Sequence, residues 1–268
     1  MDLTSTIDLT EAREFIRAIV DEAGRIARKY FESRDFTMHA KKGIDFATQA
    51  DLEVQAFLIE KIREKYPATQ FLAEETAPED YSSMREISGL WIIDPIDGTW
   101  NFARGHPNFA ISVALVDKGQ SVLGVVHQPA FAKIYWAEAD KEGAFLNGER
   151  IHVSTTDLKH AVLATEISWG PIEENARTLG QLALHVQQVK IMGSGVSDQV
   201  SVAEGIIDAY LHVEPYPWDI AATGLIVEKA GGKVTDRAGK PWHVFQRGVL
   251  ATNGILHDEV LDLLNNHR

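Results

Sequence analysis

Between residues 12 and 31 apolar side chains recur at helical spacing, with Phe15, Ile16, Ile19, Val20, Ala23, Ile26, Ala27 and Tyr30 on one face. Asp8 and Glu11 precede or open that run as an N-terminal start signal. A second amphipathic helix is predicted over 50–65, where Val54, Phe57, Leu58 and Ile62 share a face and Pro67 lies just beyond the end. The period then changes. Short apolar segments at QFLA (70–73), LWIID (90–94), AISVALV (110–116), SVLGVVH (121–127) and KIYWA (133–137) are separated by turn residues such as 117–120 and predict strands. Asn147-Gly148 between GAFL and RIHV is a hairpin signal.

After about Ser154 the pattern alternates. AVLATEI, VKIM, DAYLHV, GKVTD and GVLAT predict strands, and helical stretches near 172–187, 196–204, 219–230 and 256–266 fall between them. The first half is expected to be two helices with a largely antiparallel sheet, and the second half α/β. No linker composition marks the boundary, so 1–153 and 154–268 are expected to share an interface.

Composition narrows the function classes. With 45% hydrophobic residues among 268, the chain can bury a substantial core. A formal charge of -13, from 26 basic and 39 acidic side chains, weighs against extended binding to nucleic acid or to an anionic membrane, and favours a small partner. The first residues lack a basic segment followed by an apolar one, and no apolar run reaches the roughly 18 residues of a spanning helix, so a cytoplasmic protein is expected. Cysteine is absent, which excludes disulfides, thiolate nucleophiles and thiolate metal sites. Any metal must be held by oxygen or histidine. An acidic chain repels an anionic substrate unless bound divalent cations invert the local field.

The stretch from Trp91 to Thr99 is the most informative. An apolar strand runs to Asp94, Pro95 predicts a turn, and Asp97 follows, so that two carboxylates converge with the Ile96 carbonyl between them. Such oxygen ligands suit a hard cation. Gly98 permits close approach to a ligand, and Thr99 to Phe102 can open a helix whose free N–H groups receive a phosphate. Other candidates have plain structural explanations when taken alone. Glu74 and Glu75 after a strand read equally as solvated loop acids, Asp51 as a helix-terminal acid, and Asp219 as an N-cap of the helix that ends at Gly231-Gly232. Gly193-Ser194-Gly195 can cradle an anion but also connects ordinary αβ units. The histidines show no zinc-ligand spacing, and neither a G-x-S-x-G elbow nor a P-loop motif is present.

Taken together, AEET at 73–76, DPIDGTWNF at 94–102 and PWDIAATGLIVEKAGG at 217–232, in that order, resemble the inositol monophosphatase family across nearly the whole chain. The resemblance implies the layered αβαβα sandwich (α+β / α/β) shared with fructose-1,6-bisphosphatase, assembled as a homodimer. It implies a magnesium-dependent phosphomonoesterase acting on a small phosphate ester, with two or three ions per site and manganese as a substitute. By the same resemblance, Glu74, Asp94 and the Ile96 carbonyl hold one ion, Asp94, Asp97 and Asp219 a second, and Glu75 and Asp51 belong to the metal region. Glu74 and Thr99 then orient the attacking water, with Asp51 acting through water. Ile96, Asp97, Gly98 and Thr99 hold the phosphate, while Gly193, Ser194, Gly195, His212 and Asp219 contact the substrate.

The chain departs from the family pattern at His212, where animal members have a substrate-contacting glutamate, at Trp100, usually a smaller residue, and at Ala73, often glycine. These departures leave fructose bisphosphate, histidinol phosphate, NADP or a nucleotide bisphosphate open as substrates. A regulatory protein of the RNA machinery that retains the fold, and a structural calcium-binding module, are the expectations of other classes.

Overall fold

The computed structural model describes residues 7–41, 45–167 and 171–265. Helix α1 (Leu9–Ser33) starts where Asp8 accepts the Glu11 N–H at 3.0 Å and ends at Arg34 in the left-handed region. A two-stranded hairpin, β1 (Met38–Ala40) and β2 (Phe46–Thr48), leads into α2 (Gln49–Lys65). Strands β3 (Gln70–Ala73), β4 (Ser88–Asp97), β5 (Ala110–Asp117), β6 (Gln120–Gln128), β7 (Lys133–Glu138), β8 (Ala144–Leu146) and β9 (Glu149–Ile151) form one sheet in chain order, with the short α3 (Thr99–Arg104) between β4 and β5. Only β3 and β4 are parallel; the other neighbours are antiparallel. Asn147 (φ 50°) and Gly148 (φ 95°) make the expected tight turn between β8 and β9.

The remaining elements are β10 (Val162–Thr165), α4 (Ile172–Leu182), β11 (Gln188–Lys190), α5 (Gly195–Ala203), β12 (Ala209–His212), α6 (Pro217–Lys229), β13 (Lys233–Thr235), β14 (Val249–Thr252) and α7 (His257–Asn265). Their strands form a mixed sheet in the order β11-β10-β12-β14-β13. Helix α4 stops five residues short of the expected 187, and residue 266, expected to end α7, lies outside the described residues.

Three apolar cores separate five layers. One joins α1 and α2 to a face of the first sheet, through Ile16, Val20, Val54, Leu58, Trp91 and Ile93. The second fills the space between the sheets, where α5 and α6 lie. The third joins the far face of the second sheet to α4 and α7. The order is therefore αβαβα, an α+β arrangement. Helix α6 sits so close to β6 that a Cβ on Gly124 would fall 2.6 Å from the Ala222 carbonyl oxygen.

The expected turn at Pro95 is not there. Strand β4 continues to Asp97, and its pairing slips: Asp94 faces Ser112 while Asp97 faces Ala110, so Pro95 and Ile96 together oppose Ile111. A proline, lacking an N–H, is tolerated at such a bulge. In a regular strand residues three apart point to opposite faces, and one extra residue restores them to the same side. The bulge thus does what the turn was expected to do.

Candidate active site

Asp94, Asp97 and Asp219 each bring a carboxylate oxygen to within 4.8 Å of the other two, the one such group of three among the described residues. Asp94 is 2% exposed and its Oδ1 has no hydrogen-bond partner. Asp97 is held by the first turn of α5: the Val196 N–H donates to Oδ2 at 3.0 Å and the Ser194 hydroxyl donates to the same atom. Asp219 is not the N-cap of α6. Tyr216 is, and Asp219, at the third helical position, accepts the Tyr216 N–H at 2.7 Å. Its carboxylate is thereby fixed at the rim of the helix where it meets β4.

Burial pushes all three carboxyls up. Asp97 rises to about 6, the Ser194 and Val196 bonds opposing the burial. Asp94 and Asp219 rise well above the ordinary range, through burial first and then repulsion from their acidic neighbours. Three close acids with an orphaned buried oxygen among them are the donor set of a hard divalent cation, which removes both the repulsion and the unpaired atom. The residues present fit magnesium.

Glu74 also faces this cluster, and its charge is a main cause of the Asp94 shift after burial. Lys41, from the end of the hairpin strand β1, reaches Glu74 Oε1 at 2.8 Å and Glu75 Oε1 at 2.7 Å. Burial works against the ammonium, but the two glutamates outweigh it and raise the Lys41 pKa above its ordinary value. The Glu75 carboxyl rises to about 8 through burial and the adjoining Glu74. Glu75 is located by its backbone N–H, which donates to Gln55 Oε1 at 2.9 Å. Neither Lys41 nor Gln55 was legible beforehand: a lysine on a short exposed hairpin and a glutamine on a helix look solvated.

Asp51 is fully buried at the third position of α2, where Oδ2 accepts the Thr48 N–H at 2.7 Å and also the Thr48 hydroxyl. Its other oxygen faces the Thr99 hydroxyl. Capping and placement at the site are therefore one fact. Burial raises the Asp51 carboxyl to about 7 against the Thr48 bonds. The Ile96 carbonyl lies on the site side of the bulge, 3.1 Å from the Thr99 hydroxyl.

Gly98 begins α3 at φ 84°, and a Cβ there would come within 3.0 Å of the Gly193 oxygen and of Ser194 Cβ. Only glycine fits this junction. Asn101 ties α3 to the segment before α5, donating to the Asn108 and Met192 carbonyls at 2.8 and 2.7 Å. Within Gly193-Ser194-Gly195, the serine is 1% exposed and its hydroxyl donates to Asp97. Gly195 packs beneath the Tyr210 ring, whose hydroxyl a Cβ would meet at 2.5 Å.

His212 stands on β12, outside the group formed by Asp94, Asp97 and Asp219. It is 6% exposed on β12, both ring nitrogens are buried without partners, and burial lowers its pKa to about 4. Trp100, by contrast, is half exposed beside Thr99, with its ring edge-on to Phe46 at 4.6 Å. Two buried acids near Asp97, Glu166 and Asp198, carried no motif by which the sequence could single them out.

Comparison with known proteins agrees with this geometry. The model of the inositol monophosphatase family matches residues 8–268. The fructose-1,6-bisphosphatase/inositol-1-monophosphatase of Thermotoga maritima is 38% identical over 221 residues, covering 82% of this chain and 83% of that protein. The crystal structure of the extragenic suppressor protein suhB from Bartonella henselae superposes with a TM-score of 0.87 at 29% identity, covering 96% of this chain and 100% of that one. An IMPase/NADP phosphatase complexed with NADP and Ca2+ superposes with a TM-score of 0.86 at 26% identity, covering 97% of both chains. From the match to the family along its length and the carboxylate cluster at the bulge, the chain belongs to the inositol monophosphatase family, whose members are phosphoric monoester hydrolases.

Proposed function

We propose that this chain hydrolyses the phosphate monoester of a small polyol, with inositol monophosphate as the leading substrate, and depends on magnesium held by Asp94, Asp97, Asp219, Glu74 and the Ile96 carbonyl. The observation that carries this reading is the convergence of Asp94, Asp97 and Asp219 within 4.8 Å, with Oδ1 of Asp94 unpartnered. Two or three ions fit the number of acids, and manganese, also an oxygen-seeking ion, is expected to substitute. We take 1–153 and 154–268 as the two halves that supply the site, and the working form as a cytoplasmic homodimer.

Bound divalent ions supply positive charge for the phosphoryl oxygens and lower the pKa of water. The protein does the rest. The N–H groups at Gly98 and Thr99 open α3 towards the phosphate. The Thr99 hydroxyl takes the proton of the attacking water as it passes its own to Asp51 Oδ1. A carboxyl with a pKa of about 7 is well matched to accept a proton at neutral pH. Lys41 balances Glu74 and Glu75 and places a cation at the edge where an anionic substrate enters. Its presence offsets part of the repulsion expected from a chain of charge -13.

A phosphate-release assay with magnesium over inositol monophosphate, fructose 1,6-bisphosphate, histidinol phosphate, NADP and 3'-phosphoadenosine 5'-phosphate tests the proposal. Inositol monophosphate is expected to give the highest kcat/KM. Preference for another member of the panel replaces the substrate while keeping the chemistry, and turnover of none overturns the reading.

A further inference from the structure

The hairpin of β1 and β2 pairs only with itself, through Met38↔Thr48, His39↔Ala47 and Ala40↔Phe46. All three residues of β1 are exposed and all three of β2 are buried, so packing attaches the pair to the molecule through β2. A lone two-stranded ladder is marginally stable in water, and its place depends on what β2 rests against. Phe46 is 5% exposed but, among the described residues, is not part of any of the three cores. The Trp100 ring meets it edge-on, with centroids 4.6 Å apart and planes at 88°. Trp100 itself stands on a fixed base: Asn101, the next residue of α3, donates to the Asn108 and Met192 carbonyls, and the Arg104 guanidinium lies 5.9 Å from the indole.

What the hairpin carries is Lys41. The Lys41 N–H donates to the Asp45 carbonyl at 2.9 Å, next to the Ala40↔Phe46 pair, and the Gln49 N–H closes the other end on the Thr37 carbonyl at 2.9 Å. From that position Nζ reaches Glu74 Oε1 at 2.8 Å and Glu75 Oε1 at 2.7 Å. A lysine side chain loses much rotamer freedom when its ammonium is held, so it stays on two carboxylates only while its backbone is fixed. Contacts therefore run without a gap from Trp100 to Phe46, across the ladder to Lys41, and on to the acids of the site. We propose that Trp100 is a positioning residue that acts through Phe46: it seats the β1–β2 hairpin against α3, holds Lys41 at Glu74 and Glu75, and so strengthens the binding of an anionic ester. On the phosphatase reading above, Lys41 stands where the substrate enters, and the role of Trp100 rests on that reading. A smaller side chain at position 100 would leave the edge of the Phe46 ring uncovered and the hairpin without this support.

Two measurements on the full chain test this. Amide hydrogen exchange of the metal-free protein, followed by NMR, reads the seating: Trp100→Thr is expected to speed exchange at Lys41 and Gln49 about 10-fold, Trp100→Phe to keep both near wild type, and the amides of β5 to stay unchanged in either variant. A double-mutant cycle of Trp100→Thr and Lys41→Met reads the consequence, in phosphate release with magnesium on the substrate the panel prefers. Trp100→Thr is expected to raise KM about 5-fold when Lys41 is present, and by less than about 2-fold when Lys41 is already replaced by methionine, while Trp100→Phe restores the wild-type KM. A role confined to the stability of the fold would act alike in both backgrounds. Equal effects on KM with and without Lys41 overturn the proposal, as does wild-type exchange at Lys41 and Gln49 in Trp100→Thr. Turnover of no ester by the wild type overturns the phosphatase reading instead, and the exchange rates then decide whether Trp100 seats the hairpin.

Discussion

The hydroxyl of Thr99 lies 3.3 Å from Oδ1 of Asp51, a residue 48 positions earlier in the chain. The contact joins the first turn of α3 to the first turn of α2 and gives a proton on Thr99 a defined acceptor. Removing the hydroxyl leaves the fold intact, since the residue is partly exposed, but breaks the path. Thr99→Ala is expected to lower kcat by about 10²–10⁴-fold, and Thr99→Ser to keep most of it. Steady-state kinetics decides the matter: an alanine variant with wild-type kcat would exclude Thr99 from proton transfer.

Asp94 is a buried acid whose carboxyl Glu74, Asp97 and Asp219 all push up after burial. Asp94→Asn removes one negative charge from a buried group of three and is expected to abolish hydrolysis while the metal-free protein melts no lower than the wild type. Phosphate release and thermal melts on the same preparation check both halves. Retained activity refutes the ligand assignment.

Without metal, the stability of this protein is expected to fall as pH rises from about 5 to about 8. The carboxyls of Asp97, Asp51 and Glu75 are raised to about 6, 7 and 8, chiefly by burial, so the folded state binds more protons than the unfolded chain in this range. For a raised acid, the stabilisation is complete below its unfolded pKa and is lost as pH passes through the folded value. Melting curves in chelator at pH 5 and pH 8 should show the drop, and saturating magnesium should shrink it. A metal-free protein that is more stable at pH 8 contradicts this account.

Gly124→Ala tests how the second half is seated on the first. The added Cβ would stand 2.6 Å from a backbone oxygen of Ala222, with no side chain able to swing aside. Displacing α6 should destabilise the protein by about 1–3 kcal/mol and, because Asp219 moves with the helix, raise the magnesium concentration needed for activity. Denaturant melts and metal titrations report the two effects separately.

The helices and strands were legible because their burial is periodic: α1 shows one apolar face from Ile16 to Ala27, and β5 through β7 are short apolar runs bounded by turn residues. The bulge at Pro95 and Ile96 was not, since proline in a chain reads as a turn and the slip against Ile111 depends on a partner strand. Asp219 read as an N-cap because a helix-terminal acid looks alike at the cap and at the third position until Tyr216 is seen to be the cap. Which way His212 faces was not legible either, because sheet facing is set by the register with β10 and β14.

The amino-acid sequence by itself determined that this protein has no thiol chemistry, that its elements alternate as helices over sheets, and that its scattered acids belong to a metal-dependent phosphatase family. Only the tertiary structure decided which oxygens meet. Asp94, Asp97 and Asp219 lie within 4.8 Å because a bulge turns two of them to one side and α6 packs against the first sheet to bring the third. Local propensity acts over a few residues and cannot encode that convergence. It arises from long-range packing, which also brings Lys41 to Glu74.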